Sequence, residues 1–261
     1  MTTFAWADDL AIEVDKKKAS LPYWPAKLNS SIKTPHGGVL FVNEGDQPQW
    51  SMLLAHLAKK LADYGWDVAL LNVNTADSIS WLLELPEAMS VLRQNKNKRI
   101  VLIHYGNKLN SSLDYFGKPQ SKMVNGLIML SAYDNLLKSA DKPADETATK
   151  SIDKPIDKPV SFRFPLLDIT GQFDYDMVKS QASQRANELK QNKYRALRLP
   201  GAQHDYEYSH QLLISYLHGW MSKLPESSPQ APPINTSYVE PVYSPAQSLA
   251  LLGWLGMRGG R

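Results

Sequence analysis

The stretch Lys98-Arg99-Ile100-Val101-Leu102-Ile103-His104-Tyr105-Gly106-Asn107-Lys108 decides the fold. Residues 100–103 are an unbroken apolar run, the pattern of a strand buried on both faces of a parallel sheet. Gly106 and Asn107 then supply residue types that tolerate a positive φ. A helix-compatible segment with Leu109, Leu113 and Tyr115 follows. Strand, sharp turn and helix together lift the residue at the turn clear of the sheet edge. That residue is not a serine in this chain.

The same kind of run recurs on both sides. Residues 39–42 follow Gly37-Gly38, and residues 68–71, 126–130, 164–169 and 194–199 read as further strands. Between them the apolar residues fall at helical spacing. Trp50, Leu53, Leu54, Leu57 and Leu61 form one such face, with Gly65 as its stop. Leu82, Leu85, Met89 and Leu92 form a second across residues 81–92, interrupted by Pro86. Val178, Ala182 and Leu189 mark a third helix over 175–191, and Leu213, Tyr216, Leu217 and Trp220 a fourth over 206–223. Strands alternating with helices predict an α/β fold, a mostly parallel central sheet with helices on both faces.

Working outward, residues 1–36 predict an N-terminal edge segment with room for one strand. Its apolar residues Leu10, Ile12, Val14, Leu21, Tyr23 and Trp24 are broken by Pro22, Pro25 and Pro35. The main domain spans 37–223. Within it, residues 138–160 repeat Asp-Lys-Pro among Ala, Thr, Glu and Ser, too polar to offset their ordering entropy. They predict a mobile insertion, a surface loop or a lid, without an apolar face to close on. Residues 224–261 form a Pro-rich tail ending in a short apolar patch with Leu249, Leu252, Trp254 and Leu255. That patch suits a membrane surface or a protein contact, and is too short to span a bilayer.

Composition narrows the partners. The 261 residues carry a net charge of +3, with basic and acidic side chains interspersed and no nucleic-acid motif, so nucleic acid is not an expected partner. No cysteine is present, which removes disulfides, thiolate metal sites and a cysteine nucleophile. Ala5-Trp6-Ala7 before Asp8-Asp9 matches the small-x-small end of a secretory signal. It predicts an exported, periplasmic protein that begins near Asp8, with a cytoplasmic location as the alternative.

Residues 37–223 resemble the α/β-hydrolase superfamily, and more closely an exported bacterial family of that superfamily, one of the domains of unknown function. The resemblance is carried by Gly45-Asp46-Gln47-Pro48-Gln49-Trp50, by Tyr64-Gly65-Trp66 and by Leu167-Asp168-Ile169. Tyr194-Arg195-Ala196-Leu197-Arg198-Leu199-Pro200-Gly201-Ala202-Gln203-His204-Asp205 and His218-Gly219-Trp220 complete it.

The resemblance implies a triad of which two parts stand in place. Asp174, after the penultimate strand, occupies the position of the acid, and His204, after the last strand, that of the histidine. Such a carboxylate fixes the imidazole tautomer so that the other nitrogen can take a proton. Each has a plainer reading beside this one, a helix N-cap for Asp174 and a loop histidine for His204. Gly106 falls at the nucleophile position, with His104 and Lys108 where small residues are needed. A shifted register would put His104 at the tip. Ser111, Ser112 and Ser131 are the nearby hydroxyls, read as capping or surface serines.

Backbone N–H groups around Asn43, Glu44, Gly45 and Asp46 fall where an oxyanion loop would lie, though the two carboxylates add negative charge there. Glu44, Asp46, His104, Asp174 and His204 all map to the sheet's C-terminal edge but lack a metal-ligand spacing, so neither metal nor cofactor is implied. The expectation is a catalytically degenerate α/β-hydrolase-fold protein, a binding or interaction module for a small molecule or protein in the cell envelope. The alternative is a hydrolase of ester, amide or related bonds that uses Asp174 and His204 with an unconventional nucleophile or an activated water.

Overall fold

In chain order the elements are β1 (Asp8–Val14), β2 (Lys17–Trp24), β3 (Gly37–Glu44), α1 (Pro48–Asp63), β4 (Trp66–Asn72), α2 (Trp81–Gln94) and β5 (Ile100–Gly106). α3 (Leu109–Gly117), β6 (Gly126–Leu130), β7 (Leu166–Phe173), α4 (Asp176–Glu188), β8 (Tyr194–Gln203) and α5 (His210–Met221) follow. This computed structural model describes residues 7–14, 17–44, 48–72, 81–118, 124–134, 162–189 and 193–226. Residues 1–6, Gly45, Asp46, the insertion expected at 138–160 and the tail from 227, with Leu249, Leu252, Trp254 and Leu255, lie outside the described residues. The described residues belong to one unit, Met1–Gln230.

The eight strands form one sheet in the order β1-β2-β4-β3-β5-β6-β7-β8. From β4 to β8 all pairings are parallel, while β2 runs antiparallel to both β1 and β4. β5 lies at the centre with all seven residues buried, as its apolar run requires. One face is covered by α1 and α5, which bring Leu54, Leu57, Leu61, Leu213 and Leu217 onto Val39, Phe41, Val101 and Ile103. The other is covered by α2 and α3, which pack Leu85, Met89, Leu92, Leu109 and Phe116 onto Leu40, Val42, Leu102 and Met129. Among the described residues no helix is long and apolar enough to cross a membrane.

Several boundaries differ from the sequence reading. The N-terminal segment supplies two strands rather than one, because Leu10, Ile12 and Val14 alternate inward while Pro22 sits in a strand paired only with the outermost one at that position. β7 and β8 run past their apolar cores, to Phe173 and Gln203. Pro200-Gly201-Ala202, expected to follow the last strand at 194–199, is therefore part of β8. Residues 224–226 are held to the domain. Arg99 Nε donates to the Leu224 carbonyl at 2.8 Å, Asn125 Nδ2 to that of Pro225 at 3.0 Å, and Glu226 pairs with Lys98 at 3.3 Å. Tyr216, expected inward, is exposed on α5.

Four of the stretches that carried the resemblance have packing roles. Trp66 Nε1 donates to His218 Nδ1 at 3.1 Å, tying the start of β4 to the end of α5. Asp168 accepts from Arg185 Nε at 2.8 Å and from the Tyr194 hydroxyl at 2.8 Å, a buried ion pair joining β7, α4 and β8.

Candidate functional site

Asp174 and His204 meet at the C-terminal edge of the sheet. Asp174 follows β7 and His204 follows β8, and Gly171 lets the two strand ends close on each other. A Cβ on Gly171 would stand 2.6 Å from the Ala202 carbonyl oxygen and 2.8 Å from that of Gln203. With that approach made, His204 Nδ1 lies 2.7 Å from Asp174 Oδ1, and both side chains are buried. A carboxylate only accepts, so Nδ1 carries the proton and the tautomer is fixed.

Asp174 has four donors. Oδ1 takes His204 Nδ1 and the Tyr175 N–H at 2.9 Å, and Oδ2 takes the Ser131 hydroxyl and the Gly171 N–H at 3.1 Å. Burial alone pushes its pKa up, but the hydrogen bond and charge of His204, with the Ser131 and Gly171 bonds, outweigh it and hold the group below its ordinary value. The helix N-cap of α4 is Tyr175, so Asp174 stands one residue before the cap position.

Ser131 corrects an expectation. Read as a capping or surface serine, it is fully buried, with φ at 43°, directly after β6. Its proton goes to Asp174, so the Tyr206 hydroxyl donates to Ser131 Oγ at 2.6 Å, with the Ile169 carbonyl at 3.3 Å as a further acceptor. Burial, then the nearby Asp174 charge, pushes the Tyr206 pKa well up, so this hydroxyl stays protonated. The signal for Ser131 was its place at the end of a wholly apolar strand, next to the loops that carry Asp174 and His204. Tyr206 gave no such signal.

Gly106 closes β5 at φ 88°, the left-handed turn that its residue type foretold. The backbone around it is committed. Tyr133 N–H donates to the Gly106 carbonyl at 2.8 Å, Leu109 N–H to the Tyr133 carbonyl at 3.2 Å, and Asn110 N–H to the Asp134 carboxylate at 3.1 Å. Arg185 Nη2 in turn holds the Ala132 carbonyl at 3.1 Å. The loop after β6 thus lies across the first turn of α3. Glu44 pairs in register with Gly106, so β3 ends beside this turn, just past buried Asn43.

His104 lies elsewhere, which corrects its reading as an alternative tip residue. Neighbouring residues of a strand point to opposite faces. Tyr105 turns toward His204, its hydroxyl donating to the His204 carbonyl at 3.3 Å, and His104 turns toward Trp81 on α2. His104 Nε2 donates to the Asn107 carbonyl at 2.7 Å, and Nδ1 accepts from Ser112 Oγ at 2.9 Å. Ser112 is fully buried, again not a surface serine. Burial, reinforced by the Arg185 and Lys108 charges, pushes the His104 pKa down to about 4 against the opposing Asn107 hydrogen bond. His104 is a neutral core residue. Among the described residues no group of three His, Cys, Asp or Glu side chains is placed to hold a metal ion.

Tyrosines enclose the pair. The Tyr175 ring stacks on the His204 ring at 4.4 Å between centroids and 28° between planes. Tyr105 and Tyr133 approach it at 5.5 and 6.3 Å. The sequence reading named none of these rings as part of the site.

The strand order, the antiparallel β2, and an acid and a histidine after β7 and β8 define an α/β-hydrolase fold. Solved structures agree. The chain resembles the esterase domain of a Rhodothermus marinus protein, with a TM-score of 0.59 and 13% identity over 83% of this chain and 98% of that one. It resembles Est1E from Butyrivibrio proteoclasticus, with a TM-score of 0.59 and 14% identity over 82% and 97% of the two chains. A butyrate-bound thermophilic esterase from Thermogutta terrifontis matches with a TM-score of 0.59 and 12% identity over 87% and 98%. At such identities the likeness is one of fold. No family model matches the chain, and neither does any curated protein.

Proposed function

We propose that this chain is a catalytically degenerate α/β-hydrolase-fold protein, a binding module whose site is the crevice around Asp174 and His204. The observation that carries the reading is Gly106 in the turn after β5, where covalent acyl transfer would need an oxygen nucleophile. The surrounding backbone supports it. A transition-state oxyanion needs N–H donors aimed at it. Here the first turn of α3 gives those of Leu109 and Asn110 to Tyr133 and Asp134. The Asp134 carboxylate would also repel a developing negative charge.

A second reading has its own support. The Asp174 carboxylate is fully hydrogen-bonded and orients His204, and such a pair can draw a proton from water, giving a hydrolase of esters, amides or related bonds without a serine. The two readings separate in one assay. A panel of activated esters shows no turnover above background if the protein binds rather than cleaves. Turnover that disappears in His204→Ala would establish the hydrolase.

The cell envelope remains the proposed location, on the strength of Ala5-Trp6-Ala7. Fractionating cells that express the native gene tests it, and unprocessed chain in the cytosol would end it. The apolar patch with Leu249, Leu252, Trp254 and Leu255 is proposed to contact a membrane surface or a protein. Deleting residues 246–261 should then reduce retention on membranes or on that protein, and unchanged retention would refute it.

A further inference from the structure

We infer that the Tyr175 side chain is a gate over His204, and that the slot it vacates accepts a neutral aromatic ring bearing a hydrogen-bond donor, a phenol being the simplest. This rests on the reading of the crevice as a binding site. The exposures of the stacked rings differ sharply. Tyr175 is 50% exposed while the histidine it covers is 5% exposed. The other two walls are fixed by burial, Tyr105 at 0% and Tyr133 at 9%. Only the Tyr175 ring can swing out without disturbing packed core.

Its backbone is held while the ring turns. Tyr175 N–H donates to Asp174 Oδ1 at 2.9 Å, and its carbonyl accepts the Lys179 N–H at 3.1 Å as α4 begins. Rotation about χ1 therefore leaves the Asp174–His204 bond in place. An exposed side chain changes rotamer in picoseconds to nanoseconds, so the gate is not slow.

The slot's chemistry follows from what remains. One wall is the imidazole face, which already accepts an aromatic ring at 4.4 Å. Tyr105 and Tyr133 form the sides, and Phe173, 64% exposed, stands two residues before Tyr175 at the end of β7. With Nδ1 given to Asp174, Nε2 is the nitrogen whose lone pair can accept from a ligand O–H or N–H. The Asp174 carboxylate held against the ring disfavours carboxylates and phosphates. The ring of Tyr175 stands where the ligand's ring would stack.

Carbethoxylation of histidine by diethyl pyrocarbonate, read residue by residue by peptide mass spectrometry, tests both parts. If the open state is populated at about a tenth or less, Tyr175→Ala and Tyr175→Leu should raise the His204 rate roughly tenfold or more. Tyr175→Phe, which keeps the ring, should react as the parent protein does. Fully buried His104 is the internal control and should stay unmodified throughout. Adding p-cresol should slow His204 in Tyr175→Ala toward the parent rate, and benzoate should not.

Equal His204 rates in Tyr175→Ala, Tyr175→Leu and the parent would overturn the gate. So would His104 becoming reactive in both variants, since the ring would then be holding the fold. No protection by p-cresol, or equal protection by benzoate, would overturn the ligand class. The outcome is independent of the ester assay. Turnover there would defeat the binding reading and leave the gate standing, while equal modification rates would defeat the gate whatever the esters show.

Discussion

Two buried histidines, His104 on the central strand and His204 after β8, each lie near a buried serine, and they differ in what holds the ring. His104, on the α2 side of β5, sits between the Ser112 hydroxyl and the Asn107 carbonyl. His204, on the other side, gives Nδ1 to a carboxylate whose second oxygen is held by Ser131. A hydroxyl and a carbonyl satisfy an imidazole without any charge, so the first site is inert packing. A carboxylate orients the ring and would stabilise positive charge on it, so the second keeps a potential for proton chemistry. A histidine's partner, more than its burial or a nearby serine, separates core from site.

The contrast predicts unequal costs. His104→Ala removes a fully buried ring and its hydrogen bonds to the Ser112 hydroxyl and the Asn107 carbonyl, so it should cost roughly 4 kcal/mol in urea unfolding. A cost near zero would show that the ring is not packed as described. His204→Ala should cost less, about 2 kcal/mol, because Asp174 keeps Ser131, Gly171 and Tyr175 as donors. If the two costs were reversed, the division between core and site would be wrong.

Acid should weaken the His104 side first. A histidine whose folded pKa lies below its unfolded value binds fewer protons when folded. Its stabilisation is whole above the unfolded value near 6.5 and is lost as pH falls toward about 4. The loss is on the order of 3 kcal/mol. Asp174, also held below its ordinary value of 3.8, loses its share only at lower pH. Unfolding free energies measured between pH 7 and 4 should therefore fall in the parent protein and stay flatter in His104→Leu. An equal fall in both would remove His104 as the cause.

The smallest effect should come from Ser131→Ala. It removes one of the four donors to Asp174 and leaves the Tyr206 hydroxyl with the Ile169 carbonyl, for about 1 kcal/mol. A loss several times larger would mean that Ser131 holds the loop after β6 as well as the carboxylate.

Much of this is legible in the sequence. Residues 100–103 marked the central strand because both its faces are buried, and the glycine at 106 marked the turn because few other residues accept that φ. Topology placed Asp174 and His204 at one edge, since each directly follows a strand. What escaped depends on neighbours remote in sequence. Ser131 differs from a surface serine only in what folds over it, and Tyr175 is an ordinary residue before a helix until β8 brings His204 beneath its ring. β2 was blurred by Pro22, tolerated because at that position the strand pairs only with β1. β8 alternates too weakly for its end to show, because it lies at the sheet's other edge.

The central claim is that the turn after β5 presents no nucleophile to His204. A fluorophosphonate probe, which forms a covalent bond with an activated serine, addresses it directly when the parent protein is compared with Gly106→Ser. Modest strain is expected in the variant, since serine would adopt a positive φ at a cost of about 1–2 kcal/mol. The account predicts no labelling of the parent, and labelling of Gly106→Ser at residue 106 that is lost when His204→Ala is added. Labelling of the parent at any serine, abolished by His204→Ala, would contradict it.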